Sequence, residues 1–536
     1  MKFSKGIVTA LLLLALSPVY ANEAYDMGKI EVAGKDERSK NFSAIIQKPE
    51  MNISDKISAV PTLMPEIKHN EYKPITEAKP FEKFDNRHLT KEFKIYAGAG
   101  SEGSKELGID AKASYDGYAG YIKAATEQRD GYKTPVDYSM DQFSLYFNNK
   151  DQNRDISYSG GMEFSSDENG FLANKAMAER FGWMSNDNFK LSLKGDSTLD
   201  DGTFVAFYTG FAHNERDVRA KLSAFQDKQK NKTFGIGASF LRQLNETFKI
   251  KGALDLKKND FSSSLHRSYD FTKTSFGTAL EFTSKNLGSL EAGLKTQKLG
   301  GTSHTSPFLK YNYKFKNPLN LTIGYEEDLG NDDTEKVFMP SAYTASTAHE
   351  ASKLKTLRGT LAYSFQNSDR LALELFSQTE KNALQRTDNL TGDVLAYNLS
   401  YIDAERKGIT LKGDFSIEND FSIKIAGTLQ NPKNEANGNR ISYEPKKILD
   451  VAFAYEADRL KIIFSRKAEM DREAITSFGT FEADDFSRSD VTFSYQINKT
   501  FGTYIKVLDL YNESSNYRHN VEEAERVTIL GLEASF

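Results

Sequence analysis

Apolar and polar residues alternate one by one along most of this chain. Thr528 to Phe536 reads TILGLEASF, with Thr528, Leu530, Leu532, Ala534 and Phe536 on one parity and Ile529, Gly531, Glu533 and Ser535 on the other. A period of two predicts a β-strand with one mainly apolar face. The pattern recurs at Phe234, Ile236, Ala238 and Phe240, then at Phe248, Ile250, Leu254 and Leu256. It returns at Leu357, Leu361 and Tyr363, at Phe421, Ile423 and Ile425, at Val451, Phe453 and Tyr455, and at Val491, Phe493, Tyr495 and Ile497. Helical spacing would smear these faces within two turns. The second face of the same segments carries Asp255, Lys424 and Gln496. A dry sandwich interior rejects such groups unless they are paired, whereas a wet lumen accepts them.

The connections are regular too. Tight turns are read at 243–246, 285–287, 316–318, 367–369, 418–420, 456–458 and 498–499, and longer polar stretches at 259–271, 330–352, 382–392, 432–444, 469–485 and 512–523. Short and long alternate, as in transmembrane barrels with short turns on one side and loops on the other. Segments 203–226 and 393–417 are too long for one crossing and are each read as one projecting strand. The expected fold is all-β: a transmembrane antiparallel β-barrel of about 22 strands over residues 92–536, preceded by a signal peptide and a short N-terminal segment. In such a barrel Leu530, Leu532 and the terminal Phe536 are candidates for the signal that barrel-assembly machinery reads.

Other features narrow the class. Lys2 and Lys5 precede an apolar run from Ile7 to Leu16, and Ser17 to Ala21 supplies a break and a small residue. This predicts a signal peptide over residues 1–21. No later segment has the 18 or so consecutive apolar residues of a spanning helix. There is no cysteine, which excludes disulfides and thiolate chemistry. Without Lys2 and Lys5 the chain has 68 basic and 75 acidic side chains, a net charge of −7, which argues against a nucleic-acid partner. The 37 Phe and 26 Tyr suit strands and interfacial girdles.

No nucleophile elbow, phosphate-binding loop, paired-His helix or EF-hand is present, so the chain is not read as an enzyme and no cofactor or resident metal is expected. His266, His349 and His519 fall in expected loops, with His304 beside one. Glu326, Glu327, Asp328, Asp332, Asp333 and Glu335 read as solubilising loop charge, and Trp183 as packing within a connection over 166–186. The residues alone name no ligand-binding set.

Three stretches resemble the barrel of TonB-dependent outer-membrane receptors. Phe93 to Tyr132 is similar to that family's entry into the barrel, and Ala404 to Tyr455 to its late strands, with Glu405-Arg406-Lys407-Gly408-Ile409-Thr410-Leu411 followed by Tyr443-Glu444-Pro445. Tyr504 to Phe536, with Val507-Leu508-Asp509-Leu510-Tyr511-Asn512, Tyr517 and Arg526, is similar to its closing hairpin. The resemblance implies a 22-stranded barrel in the outer membrane of a Gram-negative-type bacterium, with lipid and the barrel-assembly machinery as partners. It also implies TonB-coupled uptake of a scarce small ligand of metal-chelate or vitamin type.

Near the mature start, Lys29, Ile30, Glu31, Val32 and Ala33 resemble the segment through which such receptors pair with TonB by strand addition. Residues 22–91 would form a periplasmic or lumen segment, shorter than the family's plug. Residues 36–91 contain no glycine and include Pro49, Pro61, Pro65, Pro74 and Pro80, which departs from the plug's glycine-rich turns. The alternative reading is therefore a plugless barrel acting as a channel or as a structural or surface-interaction protein.

Overall fold

The computed structural model describes residues 90–115, 118–129, 138–149, 156–170, 183–199, 202–220, 224–265, 268–284, 286–315, 318–330, 343–345, 350–365, 369–389, 396–417, 420–476, 479–483, 485–511 and 526–536. The first strands are β1 (Thr90–Gly100), β2 (Lys105–Tyr115), β3 (Tyr118–Arg129), β4 (Tyr138–Asn149), β5 (Ile156–Gly170), β6 (Trp183–Thr198), β7 (Phe204–Arg219), β8 (Gln226–Gln243) and β9 (Phe248–Ser263). Next come β10 (Tyr269–Ser284), β11 (Gly288–Leu299), β12 (Thr302–Lys314), β13 (Leu319–Gly330), β14 (Tyr343–Ala345), β15 (Ser352–Ser364), β16 (Arg370–Asn389) and β17 (Ala396–Ile417). The chain closes with β18 (Phe421–Asn434), β19 (Lys447–Ala457), β20 (Leu460–Met470), β21 (Arg472–Thr476), β22 (Gly479–Ala483), β23 (Phe486–Gln496), β24 (Phe501–Leu508) and β25 (Val527–Ser535).

Each wall strand pairs antiparallel with the next, and β25 returns to β1, with Leu532 opposite Ala97 and Leu530 opposite Ala99. Three short strands, β14, β21 and β22, stand outside the ring, which leaves the expected 22 in a closed antiparallel barrel. Closure removes the two edges an open sheet would present. At the seam Phe536 N–H donates to Phe93 O at 2.8 Å, Phe93 N–H donates back at 3.1 Å, and the two rings lie 6.3 Å apart.

Period-two patterning decides which side each residue faces. Leu254, Leu294, Leu375, Leu530 and Leu532 are 57–66% exposed on the outer surface, in a belt that also includes Ile122, Phe147, Leu191, Phe234, Phe276 and Ile505. So large a contiguous apolar exterior is suited to lipid rather than water. The opposite parity faces the lumen and is polar. Lys251 is buried there between Glu281 at 2.7 Å and Glu291 at 2.8 Å, and Glu374 takes Arg358 at 3.3 Å and Lys412 at 3.4 Å. These carboxylates and cations satisfy one another across neighbouring strands, the condition for burying charge.

Connections at the end where the chain enters and leaves run from two residues (458–459) to six (150–155), and those at the far end reach 21 (331–351). Several far-end loops are shorter than the sequence predicts, because the strands continue beyond the apolar belt. Most of 259–271 belongs to β9 and β10, and much of 382–392 to β16. Segment 393–417 is one long strand, β17, as expected, whereas in 203–226 the strand β7 ends at Arg219 and β8 begins at Gln226.

Candidate functional site: a roofed lumen

The lumen is the candidate site, and its far end is partly covered by the wall itself. β12 continues to Thr302, yet its pairing with β13 stops at Leu309 opposite Tyr325. Beyond that point β13 parts from β12, while β15 stays with it as far as Ser352 opposite Gly330. The freed end of β13 lies against the inward-facing side chains of β10, β11 and β12. Lys295 Nζ reaches Asp328 at 2.8 Å, and Gln297 donates to the same carboxylate. Leu329 N–H donates to Gln297 Oε1 at 2.9 Å, and Lys273 Nζ donates to Leu329 O at 2.6 Å. The backbone polar groups of an unaccompanied strand end are thus satisfied by side chains. Leu329 is fully buried against Phe271 and Leu299.

β16 and β17 carry the cover across the mouth. Their register shifts between Glu380 and Ala383, a bulge at which Asn382 has φ 57°. A bulge bends and twists its hairpin. β17 leaves β18 above Ala404, and its Leu399 packs against Phe261 of β9, whose ring stacks on Tyr269 at 4.8 Å. On the other flank Asp388 of β16 bridges to Thr476 of β21 and accepts the Tyr443 hydroxyl. β9 is the ninth wall strand, and β21 follows the nineteenth, β20. The hairpin therefore touches both sides of the ring, with β14 parallel to β17 and β22 beside β21.

The base of the hairpin is clamped by Arg406. Its guanidinium meets Glu380 at 3.0 Å and binds Glu444 in two-pronged fashion at 2.8 and 2.6 Å. Planar guanidinium suits that fork better than any other side chain. Nearby, Lys447 bonded to Asp471 at 2.8 Å holds that carboxyl below the usual carboxylate range.

The structure corrects several readings of individual residues. Glu326, Glu327 and Asp328 lie in β13 and its inward-turned end, not in a solubilising loop: Asp328 is buried, and Glu327 pairs with Lys355 at 3.0 Å and His304 at 2.9 Å. Trp183 opens β6 under the Arg219 guanidinium at 4.6 Å, rather than sitting in a connection. His266, His349, His519, Asp332, Asp333 and Glu335 lie outside the described residues, as do Lys29, Ile30, Glu31, Val32 and Ala33. Among the described residues no group of three His, Cys, Asp or Glu is placed to hold a metal ion. Leu530, Leu532 and Phe536 all lie on the outer surface of the closing strand and terminus, 60–69% exposed. Sequence reasoning missed Lys273, Lys295 and Gln297; each reads only as another polar residue on the second face.

The barrel matches solved structures over most of its length. The copper transporter OprC superimposes with a TM-score of 0.61 at 12% identity, covering 86% of this chain and 82% of that one. The FrpB iron transporter from Neisseria meningitidis gives 0.62 at 11% identity, covering 83% of this chain and 81% of its own. The ferripyoverdine receptor of the Pseudomonas aeruginosa outer membrane gives 0.62 at 10%, with 85% and 72% covered. The chain shares the barrel fold of these outer-membrane transporters and receptors. No family model matches the sequence, and no curated protein matches it. At identities this low the likeness is one of fold, and the ligands named for those proteins remain theirs.

Proposed function

We propose that this receptor-type barrel lies in the outer membrane of a Gram-negative-type bacterium and takes up a scarce small ligand, of metal-chelate or vitamin type. The observation that carries the reading is a closed 22-strand ring, apolar outside and charged inside, in the fold of outer-membrane metal and siderophore receptors. An even strand number puts both ends of the ring at the short-turn side, which on this reading faces the periplasm, with the roofed end extracellular. Coupling would run through Lys29 to Ala33, an alternating extended stretch able to add as a strand to TonB. Residues 22–89 precede β1, whose first residue lies at that periplasmic side.

The test is uptake of labelled iron and copper chelates and of cobalamin by cells that depend on this protein. Deletion of residues 28–34 is expected to abolish uptake without lowering the amount of folded barrel. Unchanged uptake would favour the second reading, a barrel that is not energised. The roof argues against the simplest version of that alternative, a permanently open channel of this width.

A further inference from the structure

We propose that the upper parts of β13, β15, β16 and β17 form a flap that closes the extracellular mouth from within, with Lys273, Lys295 and Gln297 as its catch. This inference goes beyond the uptake reading: it rests on the membrane orientation given there and not on the ligand. The flap is bounded by two breaks in the ring: β13 leaves β12 above Tyr325, and β17 leaves β18 above Ala404. Between those breaks the four strands stay paired to each other, so they move as one piece.

Contacts of three kinds hold the piece down, besides the Glu327–His304 pair and the Asp388 contacts to Thr476 and Tyr443. The catch joins the end of β13 to the inner wall through the Lys295–Asp328 pair and the Gln297 and Lys273 bonds to the Leu329 backbone. Leu399 against Phe261 is the apolar contact across the mouth. Arg406 with Glu380 and Glu444 is the hinge clamp, beside the bulge where the hairpin bends. Most of a barrel wall cannot swing, because each strand is bonded on both sides. This arc can, because its two flanking ladders end early. Opening exposes a buried ion pair to water, which hydrates both partners and limits the cost of release.

The absence of cysteine makes the test direct. Ser275→Cys places one thiol on the inward face of β10, two residues below Lys273 and beneath the flap. Ser303→Cys, exposed at the free rim of β12, is the reference. Intact cells are treated with a polymer-linked, membrane-impermeant maleimide. With the catch intact, the rim thiol of S303C is expected to label quickly and the lumen thiol of S275C slowly. Adding Gln297→Ala with Asp328→Asn to S275C, or separately Arg406→Gln, is expected to speed labelling of the lumen thiol about tenfold, the population shift that about 1.4 kcal/mol produces. Heat-modifiable migration on gels confirms that each variant remains a folded barrel. The proposal is overturned if the lumen thiol labels as fast as the rim thiol with the catch intact. It is equally overturned if the lumen thiol stays slow in both folded release variants.

Discussion

At the scale of single residues, the barrel is closed by a few polar contacts and by tight fits at its seam. The Tyr504 hydroxyl donates to Glu106 at 2.6 Å, and Lys506 Nζ reaches the other carboxylate oxygen at 2.6 Å. The Tyr504 ring lies over Gly531, where an added Cβ would sit 2.0 Å from ring carbon Cζ. A strand glycine of this kind marks a close approach that no side chain permits. Gly531→Val is accordingly expected to block closure, read as loss of the heat-modifiable folded species. Tyr504→Ala in the same chain should restore part of it by vacating the space. Glu106→Ala leaves Lys506 and Tyr504 without their acceptor at a largely buried position. Urea unfolding in lipid vesicles should show a loss of roughly 1–3 kcal/mol.

At the scale of elements, the two parities of one strand obey different solvents. Leu254 and Asp255 are neighbours on β9, the first 57% exposed on the outer belt and the second on the lumen side. Leu254→Arg should cost about 2–4 kcal/mol if it lies near the bilayer midplane. Asp255→Asn, half-buried on the polar lumen side, should change stability by less than about 1 kcal/mol, the usual worth of a partly exposed charge contact. Equal effects from the two substitutions would contradict the assigned facing. The same alternation made Asp255, Lys424 and Gln496 legible as lumen groups, because side-chain direction in a strand depends only on parity. It could not show where a strand leaves its neighbour. Nothing local in Tyr325 to Leu329 marks the departure of β13 from β12, and the three acidic residues there read as loop charge until their partners on β11 and β12 are known.

At the scale of the molecule, the apolar belt and the lack of open edges predict behaviour in solution. The protein should stay soluble only with detergent or lipid, and its far-UV circular dichroism should be dominated by β-structure. Freely soluble monomer in plain buffer, or a helical spectrum, would contradict the barrel. Strand number was also readable at this scale, from the alternation of short and long connections together with the family resemblance. Loop lengths were overestimated at 259–271 and 382–392, because polar residues above the bilayer belong equally well to strands that project into water.

The order of residues along each strand was enough to fix the kind of surface it presents: apolar on one parity, charged on the other. That is local information, carried by neighbours one and two positions apart. Tertiary structure alone decided which lumen charges meet, where the ring loosens, and that β16 and β17 reach Phe261 on one flank and Thr476 on the other. Those contacts join residues distant along the chain, through a register that the whole ladder of backbone hydrogen bonds sets together and no single segment encodes.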